Sequence, residues 1–289
     1  SGAPAFADGK TFTMAVGADP GNLDPHFTSL SVTQQVDRFL YDSLVNIDEN
    51  GKMVPGLAAS WEATTTTAKY TLRKNVTFHD GTAFDAAAVK FNIERMKTMP
   101  DSKRKAELAP IATVEVLAAD KVKLNLSEPF VPLLANLSDR AGMMVSPKAA
   151  GEKAGEFAAA PVCAGPYQFV ERKSRDLIRV KKYPGYWNAG QIGYDEIVYS
   201  FVPDSTVRRS RVRAGDLVLA IGTAGALLPP AWSVAPALAR RDIRGDPIPP
   251  VALAGPLPLE EWAAPPVVAF MPARGHALQV RGLVPDDVR

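Results

Sequence analysis

A strand, a tight turn and a capped helix follow one another between Tyr70 and Met96, and this order restricts the fold more than any other part of the chain. Apolar and polar residues first alternate, as in a strand with one buried face, with the apolar positions at Tyr70, Leu72, Val76 and Phe78. Asp80-Gly81 is typical of a turn, because glycine accepts a positive φ and aspartate bonds nearby backbone. Asp85 then stands at the N-cap of a helix whose apolar face carries Val89, Ile93 and Met96. We therefore interpret His79 and Asp80 as turn residues rather than as a catalytic pair.

Similar patterns on both sides of this segment favour a mixed α/β fold over an all-β fold. They predict strands at Thr11–Val16, Leu177–Val180 and Ile197–Val202, and a hairpin across Ala118–Lys121. They also predict a helix that carries Val36, Phe39, Leu40 and Leu44 on one face, and a short buried helix within Pro129–Leu137. Asp48–Gly51 is expected to be a turn, and the small residues of Gly151–Ala160 a connection.

Residues able to carry catalytic or metal chemistry are few and dispersed. The three histidines, His26, His79 and His276, are too far apart in sequence for a local metal site. Because Cys163 is the one cysteine, an intrachain disulfide cannot form. We interpret Cys163 as a buried thiol. No glycine-rich phosphate loop and no G-x-S-x-G motif occurs. The net charge of +2 is too small to indicate a nucleic-acid partner. The sequence contains no run of about 20 apolar residues, which is the length needed to span a bilayer. We therefore predict that the chain is not an enzyme and has no metal or cofactor.

Several charged and aromatic residues have plain structural interpretations. The carboxylates in turns are expected to cap backbone or to be solvated, namely Asp24, Asp42 and Asp80. The charged stretch Asp101–Glu107 is interpreted as a solvated face. Trp61 and Trp187 are expected to pack against the core or a hinge edge rather than against a ligand.

Seven short motifs, in order along residues 11–217, carry a resemblance to a known family. They are Leu23-Asp24-Pro25, Leu40–Leu44, Pro55–Asp85, Pro161–Tyr167, Tyr186-Trp187, Val202–Thr206 and Arg213–Leu217. Together they resemble the bacterial extracellular solute-binding proteins of family 5, which are the dipeptide, oligopeptide and nickel receptors of ABC importers. The resemblance implies a periplasmic binding protein type II-like α/β fold. Residues 8–45 and 165–217 would form the core of the first lobe, residues 46–164 an inserted subdomain, and the second lobe is expected to be missing or scrambled.

The resemblance also implies a function and a candidate site. Members of this family close two lobes over a solute, and peptide-binding members hold an extended di- or oligopeptide by main-chain hydrogen bonds. The first lobe's contribution maps onto the loop Phe27–Ser31, where the backbone of Ser29 and Ser31 would pair with the peptide and Thr28 and Leu30 would shape the wall. An acidic second-lobe residue for the ligand's ammonium group has no counterpart here, so peptide binding is predicted to be weak or absent.

Other cargoes and other classes of protein remain open. The same fold could bind a nickel chelate, heme or a sugar oligomer. A secreted enzyme or an interaction protein is less well supported. The expected partners are a peptide or other small solute and the permease subunits of an ABC importer, with no nucleic acid and no direct membrane span.

The composition changes after Leu217. Between Val218 and Arg289 there is no Lys, Asn or Tyr, and proline pairs recur at 229–230, 249–250 and 265–266. Proline at this density interrupts every candidate strand and helix. Three interpretations stand: a frameshift or gene-end artefact near Leu217, a genuine divergent tail, or a proline-rich docking segment.

The first seven residues resemble the end of an export signal. Ala5-Phe6-Ala7 before Asp8 has the small-x-small pattern of a signal-peptidase site. We therefore expect residues 1–7 to be a residual signal-peptide end and the protein to be periplasmic.

Overall fold

The computed structural model describes residues 10–48, 50–153 and 155–220. Its helices are α1 (Ser31–Leu40), α2 (Ala86–Thr98), α3 (Lys105–Leu108), α4 (Leu133–Asn136), α5 (Pro147–Glu152) and α6 (Ser205–Ala214). Its strands are β1 (Thr11–Val16), β2 (Val45–Ile47), β3 (Met53–Pro55), β4 (Ala58–Ala63), β5 (Thr67–Leu72), β6 (Ile111–Ala118), β7 (Lys121–Leu126), β8 (Tyr167–Lys173), β9 (Leu177–Lys182), β10 (Glu196–Phe201) and β11 (Leu219–Ala220). The signal-peptide end and all but the first three residues of the predicted tail 218–289 lie outside the described residues.

Three sheets organise the strands. A five-stranded sheet has the order β11-β1-β10-β9-β8, and within it β1 runs parallel to both β10 and β11. A four-stranded antiparallel sheet has the order β4-β5-β7-β6, and β2 and β3 form a separate antiparallel pair. Parallel strands require crossover connections, whereas the antiparallel sheet is built from hairpins, so the mixed α/β class is confirmed.

The described residues divide into two compact units. One consists of residues 10–19, 172–179 and 190–220, and the other of residues 20–171 and 180–189. The bounds of these units differ from the domain bounds expected from the sequence at 45/46 and 164/165. The division into a first-lobe core and an inserted subdomain stays a prediction.

In the first unit, α6 is fixed at both ends by its sequence. The Asp204 carboxylate accepts hydrogen bonds from the N–H groups of Thr206 and Val207, which satisfies donors that the first helical turn leaves free. Gly215 ends the helix in the left-handed conformation, with φ of 85°. The helix contributes Val212 to a small buried cluster with Ala15, Val202, Leu217 and Ala220.

The core of the second unit forms where α2 packs against β6 and β7. Asp85 caps α2 through a hydrogen bond from the N–H of Ala88, as the sequence predicts. The predicted apolar face is buried throughout, at Val89, Ile93 and Met96. The hairpin between β6 and β7 and the Asp80-Gly81 turn, where Gly81 has φ of 79°, are also confirmed.

Two element predictions need correction. The first helix ends at Leu40, so Leu44 belongs to the following turn, although its side chain is buried as expected. The strand that carries Tyr70 ends at Leu72. Val76 and Phe78 follow it in irregular backbone, although both residues are buried as expected. In both cases the apolar pattern reports burial correctly and continues past the end of the regular element.

Candidate functional site

The loop that enters α1 begins with a self-bonded turn at Asn22–Phe27. The side chain of Asn22 accepts from the N–H of Asp24, and the Asp24 carboxylate accepts from the N–H of His26. The Asp24 carbonyl accepts from the N–H of Phe27. Short polar side chains that bond their own backbone favour this conformation locally.

Arg95 on α2 anchors this turn. Its guanidinium meets the Asp24 carboxylate with Nη2–Oδ2 at 2.6 Å and Nη1–Oδ1 at 3.3 Å, and its Nη1 lies 2.5 Å from Nδ1 of His26. Nε2 of His26 lies 3.0 Å from the carbonyl oxygen of Met143, so it carries the proton and Nδ1 accepts from Arg95. Burial lowers the pKa of His26 from 6.5 to about 4, which agrees with a neutral ring in this position.

The five predicted site residues lie directly after the anchored turn. Phe27 is half-buried and Thr28 is buried, whereas Ser29, Leu30 and Ser31 are exposed. The hydroxyl oxygen of Thr28 accepts from the N–H of Leu30, and Ser31 is the first residue of α1. The structure thus presents three of the five residues to solvent on a well-anchored segment.

Arg104 holds the loop through side-chain hydrogen bonds, a contact that the sequence does not predict. Its Nη2 donates to Oγ of Ser29 at 2.6 Å and to the carbonyl oxygen of Thr28 at 3.3 Å, and its Nη1 pairs with Glu107. The side chain of Arg104 is only 5% exposed. The interpretation of Asp101–Glu107 as a solvated face is therefore wrong at Arg104, because the chain turns this side chain under the loop.

A second group of polar side chains lies along α1, from Gln34 to Arg38. Arg140 donates from Nη2 to the amide oxygen of Gln34 at 3.0 Å, and the amide nitrogen of Gln34 donates to Asp139 at 2.5 Å. Arg38 also pairs with Asp139, at 3.3 Å. Burial is the main cause that lowers the pKa of Arg104 and raises the pKa of its partner Glu107.

Within residues 10–48, 50–153 and 155–220, histidine, cysteine and acidic side chains form no group of three or more that could hold a metal ion. Over the same ranges every helix is too short or too polar to cross a bilayer.

Comparison with known proteins decides the family. The model of the bacterial extracellular solute-binding proteins, family 5 Middle, matches residues 52–230. The chain belongs to this family. The match confirms the resemblance and extends 13 residues past Leu217, where the predicted similarity ends. A family of solute-binding proteins also agrees with the prediction of a binding protein rather than an enzyme.

Individual relatives and solved structures align with 72–74% of the chain. The chain is 35% identical over 211 residues to the glutathione-binding protein GsiB of Pectobacterium atrosepticum, which covers 72% of this chain and 41% of the relative. Among solved structures, AgaA from A. tumefaciens R10 in complex with agropinic acid gives a TM-score of 0.68 at 31% identity, covering 72% of this chain and 43% of that one. DppA from Helicobacter pylori, in complex with the peptide STSA, gives 0.68 at 25% identity, covering 74% and 47%. The chain thus spans about two fifths of the length of the curated relatives that it matches.

Two of the family 5 motifs meet at Asp42. Its carboxylate accepts from Nε1 of Trp187 at 2.8 Å, from the hydroxyl of Tyr186 at 3.2 Å and from the side chain of Asn46 at 3.2 Å. The guanidinium of Arg73 lies over the Trp187 ring, 3.7 Å from its centroid. Asp42 is buried and also accepts from the N–H of Ser43, so it caps nearby backbone, which is one of the two roles expected for it. The packing role predicted for Trp187 is confirmed.

The family 5 turn at His79-Asp80 also connects segments that are distant in sequence. Nε2 of His79 lies 3.0 Å from the carbonyl oxygen of Gly165, and the Asp80 carboxylate accepts from Thr82 and Ser146. Cys163 is fully buried, and burial raises the pKa of its thiol well above the usual value. These contacts agree with the structural interpretation of all three motif residues.

Proposed function

We propose that this chain is part of the substrate-binding component of a periplasmic ABC importer and that its cargo is a di- or oligopeptide. The observation that carries the proposal is the 35% identity, over 211 residues, to a glutathione-binding protein. Glutathione is itself a tripeptide, and the STSA complex of DppA supports the same class of cargo. The permease subunits of the importer are the partners that this function requires.

The loop Phe27–Ser31 would present its backbone to the peptide. The anchoring of the preceding turn by Arg95 and the hydrogen bonds of Arg104 to Thr28 and Ser29 support this role, because a fixed loop loses little entropy when it binds. Ser29 and Ser31 would offer the pairing groups and exposed Leu30 an apolar wall. Thr28 is buried, so its part would be to hold Leu30 in place.

An opine cargo is the second candidate. It is favoured by the 31% identity to AgaA, whose structure holds agropinic acid. Agropinic acid lacks the repeating amides of a peptide, so this cargo would depend less on main-chain pairing. The loss of one backbone N–H should therefore weaken the binding of a peptide more than the binding of an opine.

Nuclear magnetic resonance of the 289-residue chain tests both candidates. We expect reduced glutathione or trialanine to shift the backbone signals of residues 27–31 with a dissociation constant weaker than micromolar. Ser31→Pro removes one N–H at the first helical position, where proline is tolerated, and Leu30 already has the extended backbone (φ −70°, ψ 133°) that a following proline requires. Ser31→Ala is the matched control, since it keeps the N–H.

The outcomes separate the candidates. Weaker peptide binding in Ser31→Pro than in Ser31→Ala supports main-chain pairing at this residue. Equal peptide binding in the two variants rules out that pairing. Agropinic acid shifting these signals where neither peptide does would replace the peptide by the opine. A micromolar peptide affinity would refute the prediction of weak binding.

A further inference from the structure

Two polar side chains of α1 are buried in the protein interior. Thr33 and Asp37 are four residues apart, so they lie one turn apart on the same side of the helix. Both residues are fully buried, as are the apolar residues Val36 and Leu40 of the same helix. The inward side of α1 therefore combines apolar packing with two polar groups.

The polar atoms of these two side chains are not satisfied by protein groups. Oγ1 of Thr33 and both carboxylate oxygens of Asp37 are buried, and none of the three has a hydrogen-bond partner within residues 10–48, 50–153 and 155–220. A polar atom in this state is rare, because its removal from bulk water is unfavourable unless another partner replaces the lost hydrogen bonds. Where protein groups do not serve, the usual partner is an internal water molecule.

The charged groups near Asp37 are bound to other partners. Burial and then the charge of Asp24 raise the pKa of Asp37, while Arg140 opposes the rise, so both groups are within electrostatic range of it. The Asp24 carboxylate is paired with Arg95, and Nη2 of Arg140 donates to the amide oxygen of Gln34. These contacts engage the nearby charges without supplying a direct partner to Asp37.

Arg140 also brings a donor of the complementary kind. Its Nε is buried and has no hydrogen-bond partner in the described part of the chain. Nη2 of the same guanidinium binds Gln34, the residue that follows Thr33, so this donor lies close to α1. One N–H donor, one hydroxyl and two acceptor oxygens are thus left to share a partner that both donates and accepts.

A neutral partner fits this set better than a metal ion does. Asp37, the charged groups that act on it and their ion-pair partners comprise three carboxylates and three guanidinium groups, namely Asp24, Asp37, Asp139, Arg38, Arg95 and Arg140. Even with every carboxylate ionised, these groups carry no excess of negative charge. A cation would therefore add an unbalanced charge to the interior, whereas water would not.

We propose that α1 holds at least one internal water molecule on its inward side. We call this the α1 water site and define it by Oγ1 of Thr33, the carboxylate of Asp37 and Nε of Arg140. The water donates to Asp37 and accepts from Arg140, and the Thr33 hydroxyl is able to do either. Because α1 begins at Ser31, the last residue of the candidate loop, the site stabilises the helix that carries this loop. The inference does not depend on the cargo.

A crystal structure of the 289-residue chain that resolves ordered solvent tests the site directly. We expect a water oxygen within about 2.6–3.2 Å of a carboxylate oxygen of Asp37 and of Oγ1 of Thr33 or Nε of Arg140. A direct hydrogen bond between Asp37 and a protein group would overturn the site, as would the lack of solvent density there. A bound cation would also overturn it, and a loss of stability when choline chloride replaces sodium chloride at equal ionic strength would reveal that cation.

Oxygen-17 relaxation dispersion tests the site in solution, because it counts the water molecules that stay bound for longer than the protein takes to tumble. Thr33→Val and Asp37→Leu replace the two polar side chains by apolar ones of similar size. We expect the double variant to hold fewer long-lived water molecules than the wild-type chain. An equal count in the two proteins would overturn the site.

The same variants test whether the two side chains share the water. Groups that share a partner do not act independently, so the two changes together should alter the equilibrium constant of unfolding by about fivefold less than the product of the single changes. Ser31→Val and Gln35→Leu have the same spacing on α1 and are the matched control, and we expect their effects to multiply to within about twofold. Independent effects of Thr33→Val and Asp37→Leu would overturn the shared site. If a variant does not fold, the crystal structure of the wild-type chain decides the question.

Discussion

Single residues with distant partners determine how the loop before α1 is held. Asp24 and His26 are fully buried, and their polar atoms are satisfied by Arg95, which lies 71 and 69 positions further along the chain. A buried carboxylate is stable only when its charge and its lone pairs are matched in this way. The turn Asn22–Phe27 therefore depends strongly on one side chain of α2, whereas Arg104 holds the residues that follow it.

We expect Arg95→Met to destabilise the protein by about 3–5 kcal/mol, because it leaves Asp24 buried and unpaired. The free energy of unfolding in urea measures the loss. Lys90→Met on the same helix is the control, since the exposed pair of Lys90 with Glu94 contributes at most about 0.5 kcal/mol. Equal losses in the two variants would contradict the role assigned to Arg95.

At this scale the sequence predicts the local hydrogen bonds of a residue better than its burial. The expectation that Asp24 and Asp42 cap nearby backbone is correct, because they accept from the N–H groups of His26 and Ser43. The sequence does not show that both carboxylates are buried, because their side-chain partners, Arg95 and Trp187, come from distant segments. Arg104 was missed for the same reason. Its neighbours Lys103 and Lys105 are exposed, and nothing in a local charge pattern marks the one side chain that turns inward.

Whole elements follow the sequence most closely where local signals agree. In α2 the cap at Asp85 and the apolar face at Val89, Ile93 and Met96 indicate the same helix, and the structure has it at Ala86–Thr98. The sequence of α6 has no apolar face, because four of its ten residues are Arg and only Arg208 and Val212 are buried. The N-cap at Asp204 is the signal that could have indicated this helix. Strand β4 was missed as well, since only Ala58 of its six residues is buried.

At the scale of the element, the missing cap of α1 leaves room for stabilisation, because Leu30 supplies no acceptor to the first turn. We expect both Leu30→Asn and Leu30→Asp to stabilise the protein by about 1 kcal/mol in urea unfolding, since each supplies an acceptor to the first turn. Leu30→Ala is the control, since alanine supplies no acceptor, and equal free energies of unfolding in Leu30→Ala and Leu30→Asn would contradict the missing cap.

For the whole molecule, family and fold could be predicted from seven motifs, but the cargo could not. The chain aligns with about two fifths of each curated relative, so the alignment shows family membership and leaves the cargo as a proposal. The site loop Phe27–Ser31 comes from the resemblance and stays a prediction. The hydrogen bonds of Arg104 to Thr28 and Ser29 became visible only in the structure, since these residues lie about 75 positions apart in the sequence.

The buried histidines make the stability of the whole molecule depend on pH. Burial lowers the pKa of both His26 and His79 from 6.5 to about 4. The unfolded chain therefore binds protons below pH 6.5 that the folded chain does not bind until about pH 4. The free energy of unfolding should fall as the pH is lowered through this window, and His26 alone should account for about 2 kcal/mol between pH 7.5 and pH 5.

Urea unfolding at pH 7.5, 6.5, 5.5 and 5 measures this dependence, and His26→Gln isolates one contribution. Burial raises the pKa of Asp37 and Asp42, so these carboxyls act in the opposite direction and stabilise the folded chain as the pH falls. Their contribution is common to both proteins and cancels in the difference. The wild-type chain should therefore lose about 2 kcal/mol more than His26→Gln between pH 7.5 and pH 5. Parallel curves for the two proteins would mean that His26 is protonated as easily in the fold as outside it, and that its Nδ1 does not accept from Arg95.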